Sequence, residues 1–413
     1  MAGQRHARRT RRAAIRRTAG LGLAALLLVS GCTAAPDRAD TTLRGIQETL
    51  DDRANAVLRH DLDGYLAALD PAAATLRARQ RKEFDQLEDV PLSTWEYRIK
   101  GVRHQGTRAV ADTELRYRFA GYDSAPVTTS RTLELRADGG RWYVTSDRAG
   151  TGSSQQLWQQ GDVQVVRGSR SLVLGVGQDG RHLRALAAAA DRAVPAVSAA
   201  WPSKWIRRVV VLVPSSVEAM GRLLGAPAAG YRGIAAVTTG ERGPSGASSA
   251  DRVIVNPDAY AALGEFGRRV VLTHETTHVA TRAHTSAATP MWLSEGFADW
   301  AAYRGVGRSA GESAPDLRDA VRGGDVPAEL PSDEEFAFGG DAKALARAYE
   351  GGWLACELIA DRWGEEALTA FYTSVGGAEH RDGSVERALG EVLGTTLQEF
   401  TSLWRDYLHE RLD

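Results

Sequence analysis

Apolar residues recur at helical spacing near the start of the chain. Leu43, Ile46, Leu50, Ala54, Val57 and Leu58 fall on one face of a 3.6-residue repeat. That spacing predicts a helix over residues 41–70, with a restart at Asp61 that carries Leu62, Tyr65 and Leu66. The period then changes to two. Trp95, Tyr97 and Ile99 alternate with polar residues, as do Leu115, Tyr117 and Phe119, and later Leu133 and Leu135. Asp138-Gly139-Gly140 supplies a turn into a last strand over residues 141–144. Helices followed by a curved antiparallel sheet make an α+β domain.

A glycine- and serine-rich stretch, residues 149–154, then reads as a flexible joint. Beyond it the pattern predicts a strand pair at 163–166 and 171–176, an alanine-rich helix at 182–199, and a solid β-run at 208–213. A short helix at 215–224 follows, then strands near 234–238 and 253–256. After Asp258 the chain reads as helix down to Leu412, including helices over 260–281 and 343–363. Sheet first and helices second gives a two-lobed second domain with a cleft between the lobes. The expected plan is a leader over 1–31, a linker over 32–40, a first domain over 41–148, a joint over 149–160 and a second domain over 161–413.

Composition narrows the class. At roughly 100–200 residues per domain, a chain of 413 residues has room for two cores. Its 43% hydrophobic content excludes a disordered chain, and a formal net charge of -1 argues against nucleic acid held through phosphates. Two cysteines, Cys32 and Cys356, cannot build a disulfide framework. Cys356 lies among Trp353, Leu354, Leu358 and Ile359 and reads as a buried, inert thiol. His60 and His104 are lone histidines without a partner set, and no acid–base constellation is visible in the first domain.

Residues 1–31 hold seven arginines and no acidic side chain, and their apolar run over 19–29 is eleven residues long. That run is about half of the ~20 residues a spanning helix needs. A basic head and a short apolar stretch read as a signal peptide, whose removal leaves an acidic chain. Leu28-Val29-Ser30-Gly31-Cys32 at its end resembles a bacterial lipobox. The resemblance implies acylation of Cys32 and a lipid anchor at the extracytoplasmic face of the cell membrane. Three Arg-Arg pairs, with Arg16-Arg17 nearest the apolar run, leave both the general and the twin-arginine export routes open.

The first domain's order also carries a resemblance. The run from Ala54 through Asp61 into Gly64-Tyr65-Leu66, with a final Gly140-Arg141-Trp142 strand, resembles the NTF2-like cone over residues 41–148. It implies a module that binds a partner, dimerises or serves as a spacer.

Chemistry concentrates in the second domain, where the chain reads His274-Glu275-Thr276-Thr277-His278. Side chains four apart lie on one helical face, so both imidazoles can hold one metal ion, with Glu275 beside it to take a proton from water. Phe266, Val270, Val271 and Val279 place this helix in a core. A catalytic zinc takes three protein ligands. After a turn over 284–290, Trp292-Leu293-Ser294-Glu295-Gly296-Phe297-Ala298-Asp299-Trp300 offers Glu295 as the third ligand. Asp299, four further on, is placed to hold a ring N–H of one histidine.

The HExxH pair with WLSEGFADW resembles the gluzincin metallopeptidases, the thermolysin-like group of the peptidase MA clan. The resemblance implies one Zn2+ per chain held by His274, His278 and Glu295, Glu275 as general base, and Asp299 as the acid that orients a histidine. It also implies an oxyanion donor downstream. Tyr349 is the candidate by order, and is equally readable as a core tyrosine. The strand at 253–256 resembles the edge strand on which such enzymes pair a peptide backbone. His284 stands where HExxHxxGxxH enzymes carry a third histidine, but position 281 is threonine where that pattern needs glycine. Without a break His284 lies about 240° around the helix from His278. The acidic stretch Asp333-Glu334-Glu335 reads as a solvated loop. The expected protein is a lipid-anchored zinc metallopeptidase acting on peptides or proteins. The alternative is a non-catalytic, zinc-containing binding lipoprotein.

Overall fold

The structure is a computed structural model that describes residues 38–239, 250–337 and 340–413. The expected leader and Cys32 lie outside the described residues. Among the described residues no helix is long and apolar enough to cross a membrane. The fold is α+β.

Helix α1 (Arg38–Leu58) buries Ile46, Leu50, Ala54 and Val57 of the stripe expected of it, whereas Leu43 and Leu58 at the two ends of that stripe are exposed. It does not run on to residue 70. His60 turns the chain at φ 53, and the Asp61 side chain accepts from the Gly64 N–H to start a separate helix, α2 (Leu62–Ala67). A third helix, α3 (Ala74–Asp85), was not expected, because only Leu76 and Gln80 of its twelve residues are buried. Strands β1 (Leu92–Gln105), β2 (Arg108–Phe119), β3 (Val127–Asp138) and β4 (Arg141–Ala149) follow as an antiparallel meander in sequence order. Along β2 the inward residues are Ala109, Ala111, Thr113, Leu115, Tyr117 and Phe119, each opposite an outward one. Register shifts between Ile99 and Gly101 and between Glu134 and Leu135 mark irregularities in the ladder. Deep in this domain Asp147 accepts from Arg53 at 2.8 Å and from the Arg131 Nε at 2.9 Å, with all three side chains buried.

The joint expected at 149–154 is tied down. The Gly150 N–H donates to the Ser130 carbonyl, and Ser153 bonds Ser130 through both backbone groups. The second sheet packs directly behind it. Strands β5 (Val163–Arg167) and β6 (Ser171–Val176) pair antiparallel and lead into α4 (Gly180–Ala200), β7 (Val209–Val213) and α5 (Val217–Leu224). Strands β8 (Ala236–Thr239) and β9 (Arg252–Val255) complete a sheet of order β5-β6-β7-β9-β8. Leu172, Leu174, Val176, Val210 and Ile254 on one face belong to the same core as Ile46 and Leu115 of the first domain and Trp158 of the joint. Val173, Val211, Val253 and Val255 on the other face pack with α4 and with Leu272 and Val279 of the helix that carries His274 and His278. Arg252, buried at the seam, makes a two-pronged pair with Asp123 at 2.7 and 2.8 Å.

The edge strand is therefore not the one expected. β9 lies between β7 and β8, and the outermost strand is β8, antiparallel to β9. The reason is burial. Val253, Ile254 and Val255 are fully apolar and covered on both faces, whereas β8 ends in Thr238 and Thr239 and stays partly exposed.

The helix expected over 260–281 is two helices. Asn256 caps α6 (Pro257–Ala262), with Pro257 opening it. Gly264 in extended backbone then starts α7 (Glu265–Thr281). The helical lobe adds α8 (Met291–Tyr303), α9 (Ala310–Ser313), α10 (Pro315–Arg322), α11 (Ala342–Trp363), α12 (Glu365–Gly376), α13 (Ser384–Ala388) and α14 (Leu397–Leu412). Its core gathers Trp292, Phe297, Trp353, Phe371, Phe400 and Trp404. Asp333 is not merely solvated. It accepts from the Met291 N–H at the start of α8 at 2.8 Å and pairs with Arg381.

Candidate metal centre

Three helices aim side chains at one point. Along α7 residues 270 and 272–277 are buried; the Thr276 hydroxyl has no hydrogen-bond partner among the described residues, and the helix's other buried threonines settle theirs locally. Thr273, Thr277 and Thr281 each donate to the carbonyl four residues back, at 2.8–3.0 Å. That leaves the histidines, one turn apart, as the polar groups facing the helical lobe. Their Nε2 atoms stand 3.0 Å from each other. The Glu295 carboxylate of α8 meets them, with Oε2 at 3.2 Å from His274 Nε2 and 3.4 Å from His278 Nε2.

These three atoms form a triangle with sides of 3.0, 3.2 and 3.4 Å. Donors on a tetrahedral zinc, at bonds of about 2.0–2.1 Å, stand ~3.3 Å apart. The donor set fits the ion in identity, number and spacing, and among the described residues it is the one such cluster.

Asp299 fixes the polarity of the triangle. Its Oδ1 lies 2.8 Å from His274 Nδ1, so that nitrogen donates and Nε2 is the one aimed at the centre, where a bound metal would take the place of its proton. The electrostatics suit a cation. Burial alone would push His274 down, but Asp299, Glu295 and Glu275 together hold it well above its ordinary value. Burial would raise Glu295, yet His278 and His274 outweigh it and hold the carboxyl far below the usual range.

Glu275 is buried beside the triangle, and its Oε2 accepts from the Thr238 hydroxyl at 2.6 Å. Tyr349, from α11, sets its ring tilted at 6.3 Å from that of His274 and edge-on at 5.1 Å from that of Phe336. Burial, then the charges of Glu295, Asp299 and Glu275, push its hydroxyl far above the ordinary value, so it stays protonated and able to donate. The structure thus brings together His274, His278, Glu295, Asp299, Glu275 and Tyr349. His284 is elsewhere: it ends a 3-10 turn (Arg282–His284), and its ring lies edge-on to Trp201 at 5.4 Å. His60 and His104 are exposed in the first domain. Cys356 is fully buried, and burial pushes its thiol up.

Two parts of the site had no reading in the sequence. Thr238 is an ordinary strand threonine until β8 lands against α7. Gly296 and Gly352 let α8, which carries Glu295, and α11, which carries Tyr349, cross with their backbones in contact. The signal was there in the paired Gly351-Gly352 inside an otherwise good helix.

No protein-family model matches the chain, and none of the curated proteins does. Among solved structures, a mutant M1 zinc metallopeptidase from Deinococcus radiodurans bound to Tyr-Ser-Ala aligns over 74% of this chain at 14% identity and a TM-score of 0.36. A two-domain M1 zinc metallopeptidase mutant bound to L-tryptophan aligns over 74% at 13% identity and a TM-score of 0.34. The aligned part spans 62% of each of those chains. A SEC-C motif containing protein from Rhodopseudomonas palustris aligns over 27% of this chain and 88% of its own, at 20% identity and a TM-score of 0.20. Overlaps this loose leave the function to rest on the chain's own residues.

Proposed function

We propose that the chain is a zinc-dependent metallopeptidase of the gluzincin kind. The observation that carries this is the triangle of His274, His278 and Glu295 with Glu275 buried beside it. A zinc ion held there would supply a Lewis acid that polarises a carbonyl and acidifies water.

The chain's own residues divide the remaining work. Asp299 holds His274 in the tautomer that ligates. Glu275 takes the proton of the attacking water and passes it to the leaving amine nitrogen, so the carboxylate ends the cycle as it began. The Tyr349 hydroxyl, kept protonated, donates to the substrate carbonyl oxygen as that oxygen gains negative charge. The outer edge of β8 offers backbone groups to an extended peptide substrate.

The first domain, three helices on a curved four-stranded sheet, is proposed as an NTF2-like binding or spacer module. Cys32 is proposed as the lipid attachment point that holds the enzyme at the extracytoplasmic face of the membrane. Glu275→Gln tests the central reading, because it leaves every ligand in place and removes only the proton acceptor. Metal stoichiometry should stay unchanged while peptide hydrolysis falls about 10²–10⁴-fold. A wild-type protein that binds zinc yet cleaves neither casein nor peptides would instead be a binding lipoprotein.

A further inference from the structure

Strand β8 does two things at once. Its outer edge is unpaired among the described residues, and its inner neighbour β9 fixes which way its side chains point. In the antiparallel register Val237 stands opposite Ile254, and Thr238 opposite Val253. Ile254 faces the first domain's core, whereas Val253 faces α7. Alternation therefore sends Thr238 toward α7, and only there can its hydroxyl reach a helix side chain.

The hydroxyl arrives at Glu275. Thr238 Oγ1 lies 2.6 Å from Glu275 Oε2 and 3.0 Å from the Glu275 backbone oxygen. A hydroxyl has one proton to give, and the nearer, charged acceptor takes it. Without that donor the Glu275 carboxylate would lose the hydrogen bond that fixes its last torsion, where rotamer wells are broad.

We propose that Thr238 is a positioning residue for the base. Its hydroxyl holds Oε2 of Glu275 and so leaves Oε1 as the oxygen that receives the water's proton. The inference rests on the reading of Glu275 as proton acceptor. It adds a coupling that the ligand set alone does not contain, because the strand offered to the substrate and the residue that aims the base are one piece of backbone. Thr238 presents its side chain inward to α7, away from the strand's hydrogen-bonding edge. Its loss should therefore be felt in turnover rather than in substrate binding.

The test compares Thr238→Val, which keeps shape and loses the donor, with Thr238→Ser, which keeps the donor. In the full chain loaded with zinc, Thr238→Val should lower kcat about 10–100-fold, the scale of a misplaced reacting group, with KM within about threefold of wild type. Thr238→Ser should stay within about threefold in kcat. Bound zinc per chain and the thermal midpoint should be the same in all three proteins. Thr238→Ala replaces the valine variant if valine lowers the midpoint, and it should show the same loss of kcat. A donor-less variant with wild-type kcat, a serine variant as slow as valine, or a loss carried by KM would overturn the proposal. If Glu275→Gln is inactive while Thr238→Val is fully active, only this inference fails. If Glu275→Gln retains hydrolysis, the reading of the base fails and this inference falls with it.

Discussion

Gly296 of α8 and Gly352 of α11 touch backbone to backbone: a Cβ on Gly296 would stand 2.2 Å from the Gly352 carbonyl oxygen. The reverse holds too, since a Cβ on Gly352 would stand 2.7 Å from the Trp292 carbonyl oxygen. No side chain can be accommodated at such distances, because the atoms that would have to yield are main chain in the middle of two helices. Glu295 is the residue next to this crossing, and Tyr349 lies one turn before it.

Gly296→Ala should therefore act on both stability and the metal. Wedging the helices apart should cost about 1–3 kcal/mol or more, as overpacking does. Moving Glu295 away from the two histidines should weaken metal binding in the same variant. Thermal melts with and without added zinc would read both effects. A wild-type midpoint with full zinc occupancy would show that the crossing has room that its geometry denies.

The ligand set makes a prediction with three arms. Glu295→Ala should lose zinc on dialysis, because it removes one of three bonds. Asp299→Ala should keep the ligands but weaken metal affinity about 10–100-fold, as losses behind a ligand do. His284→Ala should leave zinc stoichiometry unchanged, since its ring packs on Trp201. Zinc lost from His284→Ala and kept by Glu295→Ala would mean that Glu295 is not the ligand.

How much of this was legible depended on whether the signal was local. His274 and His278 could be placed from spacing alone, because four residues make one helical turn wherever the helix lies. Glu295 came from the turn after His278 and from the resemblance of WLSEGFADW, and Asp299 from the same four-residue step on that second helix. The order of strands in the sheet was not local information. Residues 252–255 announce burial, and burial says that a strand is covered without saying what lies on either side. The split between α6 and α7 at Gly264 was overlooked because apolar residues continue through it. Helix α3 was missed for the opposite reason, since most of its residues face water and leave no stripe. Asp333 looked like a surface charge because its partner, the Met291 N–H, is 42 residues away in the chain.

The anchor is tested separately. Cys32→Ser should move the protein from the membrane fraction to the soluble extracytoplasmic fraction, because a lipidated cysteine would be its attachment. Retention in washed membranes would argue for another attachment.

The buried carboxylate of the first domain makes a pH prediction. Burial would raise Asp147, but the charges and hydrogen bonds of Arg53 and Arg131 outweigh it and hold the carboxyl below its ordinary value. A depressed folded value means stability that is fully present above the unfolded value, about 3.9, and lost as pH falls through the folded one. Thermal midpoints should thus drop steeply below about pH 4. Asp147→Asn should be less stable at neutral pH, since it leaves two buried arginines without their counter-charge, and should show a flatter acid limb. Parallel acid limbs in the two proteins would place the titrating group elsewhere.

The seam between the two halves carries a consequence for cooperativity. Arg252 belongs to the second sheet by sequence and to the first domain by charge, since its partner is Asp123. Leu172, Leu174 and Ile254 are likewise strand residues of one half and core residues of the other. Opening this seam would set an arginine without a counter-charge and a row of aliphatic side chains against water in a single event. The halves therefore gain order together and lose it together. The first sheet and its helices act less as an appendage than as the missing layer of the sheet that holds β8 against α7.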